Sequence, residues 1–175
     1  VGSGPGGTLW GTNAVYGVIN VITRRAEDTQ GALLSAGTGN RESEGALRHG
    51  GTIGENGHYR VYGQYFDRDH TSTVDGTARD DAWHKGQAGF RTDWRGARDR
   101  VSLHGNAYRG SEGPPAPGTV VTGAVFELGP ITVSGTNLTA RWDRSLDDGS
   151  AFMLQAYYDR TERVNRPTFA ETLDI

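Results

Sequence analysis

The stretch "YRVYGQYF", Tyr59 to Phe66, alternates without a break. Tyr59, Val61, Gly63 and Tyr65 point one way; Arg60, Tyr62, Gln64 and Phe66 point the other. Period two marks a strand, because successive side chains leave a pleated backbone on opposite faces. From Gly31 onward the same period recurs and no helical period does. In "RVSLHGNAYRG", residues 100–110, Val101, Leu103, Gly105 and Ala107 oppose Ser102, His104, Asn106 and Tyr108. In "NLTARWDRS", residues 137–145, Leu138, Ala140 and Trp142 oppose Thr139, Arg141 and Asp143. In "AFMLQAYYDR", residues 151–160, Phe152, Leu154, Ala156 and Tyr158 oppose Met153, Gln155, Tyr157 and Asp159. "AWHKGQAGFRTDW", residues 82–94, sets Ala88, Phe90 and Trp94 against Lys85, Gln87, Arg91 and Asp93. Two weaker strands are expected at about 31–38 and 42–53, giving seven in series.

The links are as informative as the strands. They fall at 39–41, 54–57, 70–81, 95–99, 110–134 and 146–149. Every second link is a tight turn of four or five residues. Two of the three intervening links are long and rich in Gly, Pro, Thr and Asp; 39–41 is the exception. Short turns at one end and long loops at the other is the pattern of an antiparallel outer-membrane β-barrel. Strands of about 9–11 residues suffice to cross the hydrocarbon when tilted. A soluble antiparallel sheet with one solvated face is the alternative, and it is locally indistinguishable. Two features favour the membrane. Tyr59, Tyr65, Trp94, Trp142 and Tyr158 gather toward strand ends, as an interfacial girdle would. Hydrophobic residues are only 34% of the 175, which is thin for a two-sheet core.

Composition narrows the classes further. Gly contributes 27 residues, and the mean hydropathy is −0.60. The second face of a barrel strand accounts for the low hydropathy, because it lines a wet interior. A formal charge of −3 implies no polyanion-binding face, so no nucleic-acid partner is expected. The absence of Cys excludes disulfides and thiolate metal sites. No run of about 18 apolar residues offers a membrane-spanning helix, and no stretch of the 175 residues reads as a signal peptide. A chain that starts inside a motif and stops at "TFAETLDI" is expected to be a piece of a longer protein. The histidines show no metal-ligand spacing, and no Ser-His-Asp arrangement marks a nucleophile, so neither a metal, a cofactor nor a catalytic residue is assigned. Asp80-Asp81 and Asp147-Asp148 read as solvated turn carboxylates. Asn137-Leu138-Thr139 matches a glycosylation acceptor but falls mid-strand.

At the N-terminus "VGSGPGG" fits G-x-G-x-x-G through Gly2, Gly4 and Gly7, and Glu27 lies about 20 positions on, as a dinucleotide fingerprint asks. The helix that should follow fails. Gly11 and Gly17 each cost about 1 kcal/mol in a helix interior, and the segment runs into the β-branched "VINVIT". At most a short helical turn fits, around 8–14. Without alternating helices and strands there is no parallel sheet to carry a nucleotide.

The same segment, "GPGGTLWGTNAVYGVINVITRR" (4–25), resembles the last part of the plug domain of TonB-dependent outer-membrane receptors. Gly4-Pro5, Leu9-Trp10-Gly11, Ala14 and Gly17-Val18-Ile19-Asn20-Val21-Ile22-Thr23 match that pattern in order and spacing. It departs from the pattern at Ser3, where many members have Arg, and at Tyr16-Gly17, where many have Gly-Gly. The resemblance implies an all-β fold: the tail of a plug over 1–28, then part of a transmembrane barrel of about 22 strands over 29–175. It implies a receptor-transporter, not an enzyme, most often for a ferric siderophore and less often for cobalamin, haem or a glycan. TonB and its inner-membrane energising complex would pull on the plug through a TonB box upstream, and outer-membrane lipid would surround the barrel. A surface-exposed or soluble β-sheet binding or adhesion domain is the competing class.

On that reading the plug motif (Gly4, Pro5, Leu9, Trp10, Gly11, Ala14, Gly17, Val18, Ile19, Asn20) serves structure and gating. Ligand contacts are expected from external loops 69–82 and 110–134, with His70, Arg79, Asp80, Asp81 and Trp83 named for stacking and paired hydrogen bonds. The lumen wall is expected to hold Arg60, Gln64, Arg91, Asp93, Arg141, Asp143 and Gln155. Buried charges of both signs would pair there against the plug. The first and last strands of such a piece are expected to be unpaired, aggregation-prone edges.

Overall fold

The computed structural model describes residues 2–3, 17–18, 23–79, 81–113, 129–165 and 169–174; for 2–3, 17–18 and 169–174 the description is of backbone alone. The strands are β1 (Gly2–Ser3), β2 (Gly17–Val18), β3 (Gly31–Thr38), β4 (Glu42–Ile53), β5 (Gly57–Arg68), β6 (Trp83–Arg95), β7 (Asp99–Glu112), β8 (Ile131–Ser145), β9 (Ala151–Asn165) and β10 (Phe169–Asp174). A single 3-10 turn, Glu27–Thr29, precedes β3. β1 pairs with β2, and β3 to β10 form one antiparallel meander in sequence order.

All seven expected strands are present, and β10 adds an eighth on the edge beyond β9. Strand ends differ from expectation chiefly at β7, β8 and β9, the last running on to Asn165 where the alternation was read to 160. β7 runs to Glu112 and β8 begins at Ile131, so the long link shrinks from 110–134 to 113–130. The Gly and Pro beside "ITVS" place it in the loop on sequence alone, yet Ile131, Thr132 and Val133 join the ladder opposite Glu112, Ser111 and Gly110. The tight turns 54–56 and 146–150 reverse at Gly54 (φ 62°) and Gly149 (φ 82°), a backbone conformation that side chains with a Cβ avoid.

Residues opposite each other across a ladder share a face. The register therefore sorts every strand residue, and it reproduces the alternation read from the sequence. One face carries Tyr59, Val61, Tyr65, Ala88, Phe90, Trp94, Val101, Leu103, Leu138, Trp142, Phe152, Leu154 and Tyr158. The other carries Arg60, Gln64, Arg91, Asp93, Arg141, Asp143 and Gln155. The apolar face is open. Leu34 (81% exposed), Leu47 and Leu154 lie bare on it, whereas the buried apolar residues among those described are only Ala26 and Ile131. Among the described residues no second layer buries that face.

The apolar band runs obliquely. On β5 it ends at Tyr65, followed outward by Asp67; on β7 it ends at Ala107, followed by Arg109; on β9 it ends at Tyr158, followed by Arg160. Ala107 lies level with Gly63 through Ala88, and Tyr158 with Gly105 through Leu138. Each second strand thus lowers the boundary by one pleat toward the tight turns. From β5 to β9 that is about 13 Å along the strands over about 19 Å across them, a slope of roughly 35°.

Candidate functional site, the charged face and the segment it holds

Arg91 and Asp93 sit two residues apart on β6, so both point to the polar face. There they close a two-point ion pair. Arg91 Nε donates to Asp93 Oδ2 at 2.8 Å and Nη2 to Oδ1 at 2.8 Å. Their side chains are 14% and 18% exposed. What covers them is the segment 23–30. Asp93 Oδ2 also accepts the backbone N–H of Ala26 at 2.7 Å, and Arg91 Nη1 donates to Thr23 Oγ1 at 2.9 Å. Arg60, opposite Arg91 in the ladder, sends Nη1 to the Arg24 carbonyl at 3.1 Å. Two guanidiniums side by side repel. The Asp93 carboxylate and the Arg24 carbonyl offset that repulsion, and both belong to the same clasp.

The segment is shaped to fit. Thr29 Oγ1 donates to the Arg25 and Ala26 carbonyls, and Gln30 Nε2 donates to the Ala26 carbonyl at 2.6 Å, tightening the 3-10 turn. Ala26 is fully buried and Thr29 nearly so. At Gly50 a Cβ would run into the Thr29 carbonyl, so β4 must lack a side chain where the turn lands. Around this core, Glu27 pairs with Arg25 at 3.2 Å and with Arg95 at 3.0 Å. These exposed pairs add little.

Nearer the long loops the same face carries a row of amide and hydroxyl contacts. Gln64 Nε2 donates to Gln87 Oε1 at 3.2 Å, Gln87 Nε2 to the Tyr62 hydroxyl at 3.0 Å, and Asn106 Nδ2 to Asn137 Oδ1 at 3.2 Å. The Tyr62 ring lies across Gly89 and the Tyr108 ring across Gly135, each its direct ladder partner; a Cβ there would come within 2.6 and 2.7 Å of the ring. Lys85 Nζ stands 4.3 Å from the Tyr108 ring centre. Arg141 and Asp143 on β8 form a second two-point pair, at 2.8 and 2.7 Å, with side chains 48% and 36% exposed.

Of the described residues named for ligand contact, Arg79 and Asp81 are both tied to Thr71, the neighbour of His70. Asp81 is spent on the loop itself: it accepts the Thr71 N–H at 2.6 Å and the Thr71 hydroxyl at 2.5 Å, which hold its carboxyl below the usual carboxylate range. Asp75 is held low likewise by the Thr73 hydroxyl. His70 Nδ1 lies 2.7 Å from Asp69 Oδ1. The Arg79 N–H donates to the Thr71 carbonyl at 2.7 Å. Trp83 is not in the loop but opens β6, with its ring 4.5 Å from Phe66. Asp80 lies outside the described residues. So do Gly4, Pro5, Leu9, Trp10, Gly11, Ala14, Ile19 and Asn20 of the plug motif, along with the expected helical turn and 114–128 of the second loop; Gly17 and Val18 form β2.

The alternation puts Arg60, Arg91 and Asp93 on the polar face but gives no sign of the segment 23–30 that covers them. Thr23, the Arg24 carbonyl, the Ala26 N–H and Thr29 carry no signal in alternation. The spacing Arg-x-Asp, present at 91–93 and again at 141–143, was the available clue. This is binding architecture: paired charges, amides and backbone groups at hydrogen-bond distance.

No family model matches the chain, and no solved structure matches it. A 36-residue stretch is 53% identical to the vitamin B12 transporter BtuB of Vibrio vulnificus (strain CMCP6), covering 21% of this chain and 6% of that protein. That relative is a TonB-dependent receptor, and the match supports the resemblance to that family and to an outer-membrane β-barrel. The chain spans only a small part of the relative's length.

Proposed function

We propose that the chain is the junction between plug and barrel of a TonB-dependent outer-membrane transporter, with the plug tail over 1–28 and the barrel over 29–175. One observation carries this reading: the two faces of the sheet. A continuous apolar band lies bare on one face, with no second sheet over it among the described residues, and its roughly 35° slope matches the tilt of strands in a membrane barrel. The opposite face grips the segment that enters the sheet. Lipid covers the first face, and the plug fills the second.

The transported ligand is a scarce, large nutrient, bound outside and released by TonB-driven rearrangement of the plug. A ferric siderophore is the favoured cargo from the family resemblance. Cobalamin is the second reading, favoured by the name of the matched relative. Deleting the complete gene and measuring uptake of radiolabelled cobalamin and of ferric siderophores, with and without TonB, tests both. Loss of TonB-dependent uptake of one class assigns it. Uptake of both classes unaltered by the deletion overturns the transporter reading.

A further inference from the structure

The apolar band ends at Ala107 on β7 and at Tyr158 on β9. In both strands the next residue on that face is an arginine, Arg109 and Arg160. Between them β8 presents Thr132, Ser134 and Thr136. Ser134 is level with Arg109 on one side and Glu162 on the other; Thr136 is level with Ala107 and Arg160. The small residues Gly86, Ala88 and Ala107 keep the surface low, and it sinks there into an open depression of about 910 Å³. Its charged lining is Arg109, Arg160 and Glu162, so it is net positive. The two arginines stand two strand spacings and one pleat apart, about 12 Å between Cα atoms, a gap that two such side chains reaching inward span.

An arginine at the rim of an apolar band is ordinary, since its stem lies on apolar surface while its head reaches polar surroundings. The partners set this pair apart. At the other end of the same face, Arg144 lies 3.7 Å from Asp99, its ladder partner, and Trp142 Nε1 donates to the same carboxylate at 2.8 Å. The Arg109 guanidinium has no such partner among the described residues, and its side chain is exposed. Arg160 meets Glu162 at 3.8 Å, with both side chains well exposed. Two guanidiniums and three hydroxyls around one depression offer more donors than the Glu162 carboxylate accepts. A phosphate supplies several acceptor oxygens, and a guanidinium matches them in pairs. Depth decides where that phosphate comes from. The depression begins where the apolar band stops, the level at which a lipid passes from chains to headgroup, and basic pockets there suit anionic headgroups.

We propose that this depression holds the phosphate of a lipid whose chains lie on the apolar band, with Arg109 and Arg160 on its oxygens and the β8 hydroxyls beneath. The proposal rests on the lipid-facing reading of the apolar face, and one experiment separates the two. The full-length protein is purified in dodecyl maltoside, an uncharged detergent. Bound lipid is counted by native mass spectrometry after addition of dioleoyl phosphatidic acid, or of dioleoylglycerol, which has the same chains without the phosphate. Wild type retains the phosphatidic acid about tenfold better or more, and millimolar inorganic phosphate does not displace it. Arg109→Gln and Arg160→Gln each lower that retention by about tenfold. Arg109→Lys, which keeps the charge but loses the planar fork, lowers it less. Arg144→Gln leaves it unchanged. A nitroxide on Leu154→Cys reports on the face itself in the same preparations: a covered face is relaxed more by oxygen than by a water-soluble nickel chelate. If it is covered, but dioleoylglycerol is retained as well, or inorganic phosphate displaces the lipid, or the Gln variants at 109 and 160 match wild type, the phosphate site is overturned. If the nickel chelate relaxes the label more than oxygen does, the lipid-facing reading falls first.

Discussion

Asp93 on the sheet and Ala26 on the entering segment are joined at 2.7 Å, carboxylate oxygen to backbone N–H, across 67 positions of sequence. The same carboxylate neutralises Arg91. Replacing it removes two partners at once and leaves a guanidinium that is only 14% exposed. Breaking a buried pair by removing one member costs about 3 kcal/mol. Asp93→Ala should therefore free segment 23–30, and trypsin should cut the full-length protein at Arg24 or Arg25 where the wild type resists. Equal resistance in both proteins would show that the clasp holds nothing.

The register makes Leu154 and Gln155 neighbours on opposite faces. With Leu154 toward lipid, a cysteine there should resist a water-soluble thiol reagent, whereas Gln155→Cys should react once the lumen is accessible. Leu154→Arg near the middle of the band should destabilise the folded barrel by about 2–4 kcal/mol, read as a lower unfolding midpoint in detergent or lipid. Reversed labelling would mean that β9 is slipped by one residue.

Tyr62 and Gly89 form a matched pair, the ring occupying the space that a side chain at 89 would fill. Gly89→Ala should displace the ring, break the Gln87 to Tyr62 hydrogen bond and cost about 1–3 kcal/mol. With Tyr62→Ala added, the combined loss should be less than the sum of the separate losses, since the clash with the ring has gone and only the Gly105 carbonyl, 2.8 Å from the added Cβ, remains. Strict additivity in that double-mutant cycle would separate the two residues.

The strand pattern was legible because alternation is a local property: Tyr59 to Phe66 declares two faces whatever lies beside it. The sequence also placed Arg60, Arg91 and Asp93 on the polar face for that reason. What escaped was anything depending on which residue meets which across strands. Nothing near Gly89 announces Tyr62, and nothing near Asp93 announces Ala26. The end of β7 and the start of β8 were misplaced because Gly and Pro at 113–118 and 129–130 masked a β-branched strand start at Ile131. Trp83, at the start of the 82–94 alternation, stands opposite Arg68 as the first residue of β6. The loop aspartates read as solvated or ligand-facing; Asp81 instead closes its own loop, a use that only the fold reveals.

That use has a pH signature. Asp81 accepts two hydrogen bonds from Thr71, and these favour its charged form and lower its pKa in the folded loop. A carboxyl whose folded pKa is depressed contributes stability that is fully present above its unfolded value, about 3.9, and is lost as the pH falls through the folded value. The Asp81–Thr71 brace should therefore be unchanged between pH 7 and pH 5 and loosen only below about pH 4. Amide exchange at Thr71, corrected for its intrinsic pH dependence, should stay protected across the upper range. Asp81→Ala should remove that protection already at pH 7 and expose the loop to cleavage at Arg79. Loss of protection in the wild type between pH 7 and pH 5 would assign the brace to another group.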